Sequence, residues 1–542
     1  MRRCLNPWDC MSPSWLRKVR HCSRRTCICK LVRQGEAGHM LTNIDFGVIF
    51  LYAGLMAWIG ILARKKSSNV DQYFAAGHGL PWWMAAISHH VSGYSAVAFV
   101  GFAGRAAIAG FSMWTLFSLG VFVAMMIGTL IWAPRWSRLK VLTPVEYLEQ
   151  RYGNSVRMLI AISGIGLKFI DLGIKLFAIS IVVNVVTGWA ILPVILVAGI
   201  ITIGYVFIGG LWATVLTDLV QFIVQLFMSL VVLYIALSLV GGWDSLWDRL
   251  PAERSNFFNA EAGISLEFWL VYLIVIIFSY NGGTWGLAQR FISVEKPREA
   301  QKAALLSGFL FLLYPIVIFL PAWAAPFLLP DQFNQTTLMP VEGFDLDQAY
   351  ILVTQKILSG LAPGLIGLLV CSMFAATMSM IDSDINSLAA VFTKDVWQRN
   401  VDRDISDDRL FRVGMITTAV FGLAVVVAAV IVSQSSGMNK VFSFTVKLLG
   451  GLLSPIAIPL MFGMIYKKAT TRGAILSFIG GMLTYLIATL VYEVQEFQVY
   501  AGLEILVCLV IYFGESLIGV RTEEKEQEVE ELFDRLAASD VD

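Results

Sequence analysis

Charge is scarce in this chain. Only 15% of its 542 residues are Asp, Glu, Lys or Arg, and they balance to +1, which leaves no basic surface for nucleic acid. Cysteine offers no framework either: five of the seven (Cys4, Cys10, Cys22, Cys27, Cys29) crowd the first thirty residues, while Cys371 and Cys508 stand alone in apolar segments. The spacing of Cys22, Cys27 and Cys29 fits no standard zinc pattern. There is no nucleophile motif, phosphate loop or metal-ligand spacing, so an enzyme is not expected. Residues 1–39 lack an apolar core of signal-peptide length; they form a basic, Cys-rich extension. That segment reads as upstream of a true start at Met40, or alternatively as a basic arm at a membrane surface.

What the chain has in abundance is apolar length. At 57% hydrophobic residues and a mean hydropathy of +0.72 it is an all-α polytopic membrane protein. Thirteen spans can cross a bilayer: 43–63, 82–109, 112–133, 156–187, 190–209, 212–241, 266–290, 303–330, 361–393, 409–432, 441–465, 471–492 and 499–520. The cations fall in alternate loops: Arg64 to Lys66, then Arg135 to Arg151, Arg290 to Lys302, Arg399 to Arg412, and Lys467 to Arg472. The positive-inside rule makes those loops cytoplasmic, with the amino end outside and the carboxyl end inside a plasma (inner) membrane. The loop 330–347, which has no Lys or Arg, and 433–439 are then external. Residues 522–542 form a short acidic helical tail, too short for a signalling domain.

Polar groups inside the spans are few, and therefore informative. In the ninth span Ser372, Ala376, Ser379, Ser383 and Asn386 stack on one helical face with Asp382 beside them. Such oxygens suit a hard cation; small-residue helix packing explains the same stripe. Asp218 has no Lys or Arg nearby in sequence, and reads as an ion ligand or as a cap near a helix start. Lys168, Asp171 and Lys175 share the fourth span at helical spacing, either facing a solute or pairing internally. Two spans carry helix-breaking clusters, Ser92-Gly93-Tyr94 and Asn281-Gly282-Gly283, five spans apart, as inverted-repeat transporters do. Of His89 and His90 at most one faces a cavity, and a hydrogen-bonded structural role is expected. Arg105 and Arg290 are expected near helix ends as anchors or gate residues.

Several stretches resemble the sodium/solute symporter family, which includes sodium-coupled glucose/galactose, proline and sialic acid carriers. They are DQYFAAGHGLPWW (Asp71 to Trp83), GWAILPVILVAGIITIGYVFIGGLWA (Gly188 to Ala213), LTDLVQ (Leu216 to Gln221), FAATMSMIDSDINSLAAVFTKD (Phe374 to Asp395) and GMIYKKATTRGA (Gly463 to Ala474). The resemblance implies a leucine-transporter-type 5+5 inverted repeat within a transporter domain 40–521, with core repeats at about 82–241 and 266–465. It implies Na+ as a transported coupling ion at Val91, Tyr94, Ala376 and Ser379, where Met380 replaces a hydroxyl ligand of the relatives. A second sodium would take Asp218, Ser379, Asp382 and Ser383. The solute is expected at Gly93, Ser95, Asp171, Lys175, Asn281, Gly282 and Lys447; Phe117 and Lys447 replace sugar-binding residues of the glucose carriers. The expectation is a sodium-coupled symporter importing a small polar organic solute by alternating access, in a lipid bilayer and as a monomer. Proton coupling through Asp218 or Asp382, or a membrane sensor that binds solute without moving it, are the alternatives.

Overall fold

The computed structural model describes residues 41–359, 361–435 and 441–538, so the expectation for residues 1–39 lies outside the described part. Among the described residues there is no strand, as lipid requires of a chain that must satisfy its backbone within each crossing segment. Helix α1 (Asn43–Ala63) starts at a reciprocal cap between Thr42 and Asp45. The second span is broken into α2 (Trp82–Val91) and α3 (Ala98–Ala109). Helices α4 (Ser112–Leu130), α5 (Asn154–Thr187), α6 (Ile191–Gly204) and α7 (Gly209–Val240) follow. The seventh span is also broken, into α8 (Leu266–Phe278) and α9 (Trp285–Ile292). After it come α10 (Pro297–Trp323), α11 (Leu365–Val391), α12 (Asp407–Ser435), α13 (Val441–Phe462), α14 (Thr471–Leu486) and α15 (Phe497–Glu515).

Among the described residues eleven helical stretches are long and apolar enough to cross a membrane, and the two shorter ones are α3 and α6. Each of the expected spans therefore has its helix. The chain changes direction between α6 and α7 at Gly210, whose φ of 56° and ψ of −150° belong to glycine. A Cβ there would stand 2.4 Å from the Tyr73 carbonyl oxygen, so close packing also forbids a side chain.

Burial separates the centre from the rim. In α5 and α11, 78% of the apolar window is buried, against 22% in α1 and 28% in α14. The polar stripe of the ninth span therefore runs through the middle of the protein. The acidic tail is helical, α16 (Glu523–Ala537), with Val529, Leu532 and Leu536 buried. It docks on the short helix Tyr147–Tyr152, where Lys525 Nζ donates to the Glu149 carbonyl at 3.2 Å.

Candidate ion and solute site

The first break is held open by its neighbours. A Cβ on Gly93 would lie 2.3 Å from Cζ of Phe311, so only glycine lets α10 approach. The groups freed by the break find partners elsewhere. Gly93 O accepts from the Tyr280 hydroxyl at 2.6 Å, which joins the two breaks, and Ala96 N donates to Thr377 Oγ1 of α11 at 3.0 Å. Ser92 Oγ lies 3.0 Å from Ser379 Oγ and 3.3 Å from Ser379 O. The break thus meets α11 along a seam where Ser92 faces Ser379 and Ser383 and Ala96 faces Thr377. The Tyr94 side chain leaves the seam, and its hydroxyl donates to Gln225 Oε1 of α7 at 3.0 Å.

Below the seam lies a fully buried charge pair. Asp218 sits inside α7, nine residues from Gly209, so it caps no helix start. Its Oδ2 accepts from the Ser88 hydroxyl and lies 3.4 Å from both Ser92 Oγ and Arg290 Nη2. The guanidinium of Arg290 is equally buried: Nε donates to Ser88 Oγ at 2.9 Å, Nη1 to Gly286 O at 3.0 Å and Nη2 to Ser383 Oγ at 2.5 Å. Ser383 donates onward to Ser379 O at 2.5 Å, and Asp382 Oδ1 is 3.4 Å from the same hydroxyl. Arg290 lies in the last turn of α9, as expected, but that turn is buried in the core. It ties α9 to α2, α7 and α11, and its Nη2 stands among the oxygens expected to hold a second sodium.

Above the seam is a narrow cavity, with about 60 Å³ wide enough for the centre of a water molecule. That is far below the roughly 300–1,000 Å³ typical of a site for a drug-sized ligand. Gly93, Ser95, Asp171 and Lys175 line it, with Tyr94, Phe102, Phe117, Tyr272 and Tyr280 as aromatic walls and Met380 at its edge. Asp171 Oδ2 accepts from Lys175 Nζ at 2.6 Å and Lys168 Nζ at 3.0 Å; Lys168 also reaches Asp384 Oδ2 at 3.0 Å. The internal-pair reading of Lys168, Asp171 and Lys175 is therefore correct as far as geometry goes, and the pair also faces the cavity.

Three residues expected around the solute lie elsewhere. Asn281 turns toward α4, where its side-chain amide donates to Ala124 O at 3.0 Å, and Trp136 Nε1 donates to its carbonyl at 2.7 Å. Gly282 packs against Met461 and Trp136. Lys447 is exposed on α13 and donates to Gln495 at 3.2 Å, outside the cavity. The histidines are structural: His89 Nδ1 is 2.8 Å from Ser307 Oγ and its Nε2 3.2 Å from Tyr280 O, while His90 stacks among aromatic rings. Ser88, Tyr280 and Thr445 carry no mark in the sequence, and Ser92 reads there only as part of a break; their roles depend on which neighbours they meet.

Comparison with known proteins bears on this arrangement. The model of the family described as sodium:solute symporter family matches residues 73–481. The chain is 26% identical over 468 residues to the Sodium/glucose cotransporter of Vibrio parahaemolyticus, covering 82% of this chain and 84% of that one. It is 25% identical over 473 residues to the Sodium/sialic acid symporter NanT of Aliivibrio fischeri, covering 82% and 87%. Among solved structures, the substrate-bound outward-open state of a Na+-coupled sialic acid symporter aligns with a TM-score of 0.77 at 20% identity, over 88% of this chain and 98% of that one. The shared fold is the leucine-transporter-type inverted repeat. With most of its length matched in order and in fold, this chain belongs to the sodium:solute symporter family.

Proposed function

We propose that the protein imports a small polar organic solute together with sodium by alternating access, in the plasma (inner) membrane and as a monomer. Its amino end is outside and its carboxyl end cytoplasmic, on the distribution of loop cations. The observation that carries the reading is the seam, where an interrupted helix meets Ser379 of α11 through Ser92 and Thr377. Carbonyls of Val91, Tyr94 and Ala376 with the Ser379 hydroxyl form an all-oxygen donor set suited to a hard monovalent cation. Met380 borders the solute cavity and supplies no oxygen. In the conformation described Asp218 and Ser383 are partners of Arg290, so a second sodium at Asp218, Asp382 and Ser383 requires the guanidinium to withdraw.

Bound sodium steadies the break against α11; the solute fills the cavity lined by Gly93, Ser95, Asp171 and Lys175; rocking of the broken helices then releases both inward. One cation moving down about 100 mV contributes about 2.3 kcal/mol. Each tenfold sodium gradient adds about 1.4 kcal/mol. Together they support accumulation of several hundredfold. The test is uptake by proteoliposomes under an imposed sodium gradient at fixed pH, with Ser379→Ala alongside. Sodium should drive uptake in the wild type, and Ser379→Ala should raise the half-saturating sodium at least tenfold. Uptake that follows a pH gradient and ignores sodium defeats the reading. The cation already beside Asp218 weighs against that carboxylate as a proton carrier.

A further inference from the structure

We infer that the solute carries a single negative charge on a carboxylate-type head group, received by Lys175 and Thr445. This rests on the transport reading and concerns the same cavity. In the sequence Asp171 looks like an acceptor waiting for a hydroxyl or an amine. The structure places lysine ammonium groups beside it. Asp171 Oδ2 already takes two lysine ammonium groups, at 2.6 and 3.0 Å.

The donors face the other way. A lysine has three N–H groups, and Lys175 has one hydrogen-bond acceptor, Asp171. Its distance to Asp384 Oδ2, 3.9 Å, is electrostatic contact only. Lys175 lines the cavity, and so does Thr445, which is 6% exposed and whose hydroxyl has no partner. A buried hydroxyl without a partner costs about 1–3 kcal/mol, which an acceptor on the solute would recover.

Charge balance agrees. Lys168 and Lys175 match Asp171 and Asp384, all four buried, so the cluster is neutral before the solute enters. A carboxylate arriving with one sodium keeps the closed cavity neutral, whereas buried net charge is costly. The remaining walls, Phe102, Phe117, Tyr272 and Tyr280, offer ring faces to the body of the molecule.

The test uses the full chain, purified in sodium, and thermal stabilisation by matched compounds: lactate against lactamide, benzoate against benzamide, glucuronate against glucose. At least one acid should bind at least tenfold tighter than its neutral partner, in sodium and not in choline. Lys175→Met should abolish that preference and Lys175→Arg should keep it; Thr445→Val, which preserves shape, should weaken the acid severalfold if the lysine variants fold poorly. Equal stabilisation by acid and neutral partner, stabilisation by no acid, or an acid preference that survives Lys175→Met each overturn the inference. The two readings fail separately. Sodium-driven counterflow of glucose sinks only the anionic head group, while acid binding without any counterflow sinks only transport.

Discussion

Replacing Arg290 by Ala asks whether a resident guanidinium, rather than a travelling ion, neutralises Asp218. Both side chains are 0% exposed and 3.4 Å apart. With an effective dielectric constant of 20 the attraction at that separation is roughly 5 kcal/mol before desolvation is subtracted. Removing one member of a buried pair destabilises by about 3–5 kcal/mol, because the other charge stays behind without a partner. The space left by the alanine would be ringed by Asp218 Oδ2 and the hydroxyls of Ser88, Ser92 and Ser383, all oxygens that Arg290 now contacts. Sodium fits such a ring and choline does not. An ion present at a hundred times its Kd returns about 2.7 kcal/mol. The assay is thermal unfolding of wild type and Arg290→Ala in sodium chloride and in choline chloride at equal ionic strength. The variant should lose several kcal/mol in choline and recover more than half of the loss in sodium; Arg290→Lys should fall between. Equal losses in both salts would refute the substitution of one cation by another, and a loss below about 1 kcal/mol would show that the pair is not doing what burial implies.

Met380→Ser places a hydroxyl beside Ser379 where a thioether now borders the cavity. Oxygen is the better sodium ligand, so half-saturating sodium in uptake should fall severalfold, and no change would count against the seam as the ion site. In the loop before the helix Ala349–Leu358, burial and the neighbouring Asp345 push the Asp347 carboxyl up to about 7, offset in part by the Val441 amide it accepts from at 3.3 Å. Because the folded value is raised, the stabilisation is complete below about pH 4 and is lost as pH rises through about 7, by at most a few kcal/mol. Denaturation midpoints across pH 5 to 8 should therefore decline in the wild type and flatten in Asp347→Asn.

Much of the fold was legible because lipid dictates run length: apolar stretches and alternate-loop cations place every crossing segment among the described residues. The breaks were legible as glycine clusters, since Gly93 has no room for a Cβ. What a linear pattern does not carry is the side of a break on which a side chain falls. Asn281 belongs to the right break and turns to α4. Lys447 belongs to the right helix and points out of it. Arg290 reads as a helix-end residue because hydropathy joins α8 and α9 into one span; the half helix Trp285–Ile292 has only eight residues, so its last turn still lies in the core.

On the proposed reading, the distribution of internal cations bears on how the seam would release an ion. Asp171 is held by two lysines and Asp218 by an arginine, so each of these two buried carboxylates already has a cationic partner. A travelling cation at the seam is left with carbonyls and a hydroxyl, neutral dipoles whose grip depends on the break lying against α11. If the two separate, that donor set is divided between moving parts, which loosens an ion held there. Carboxylates available to sodium would bind it more tightly and surrender it more slowly.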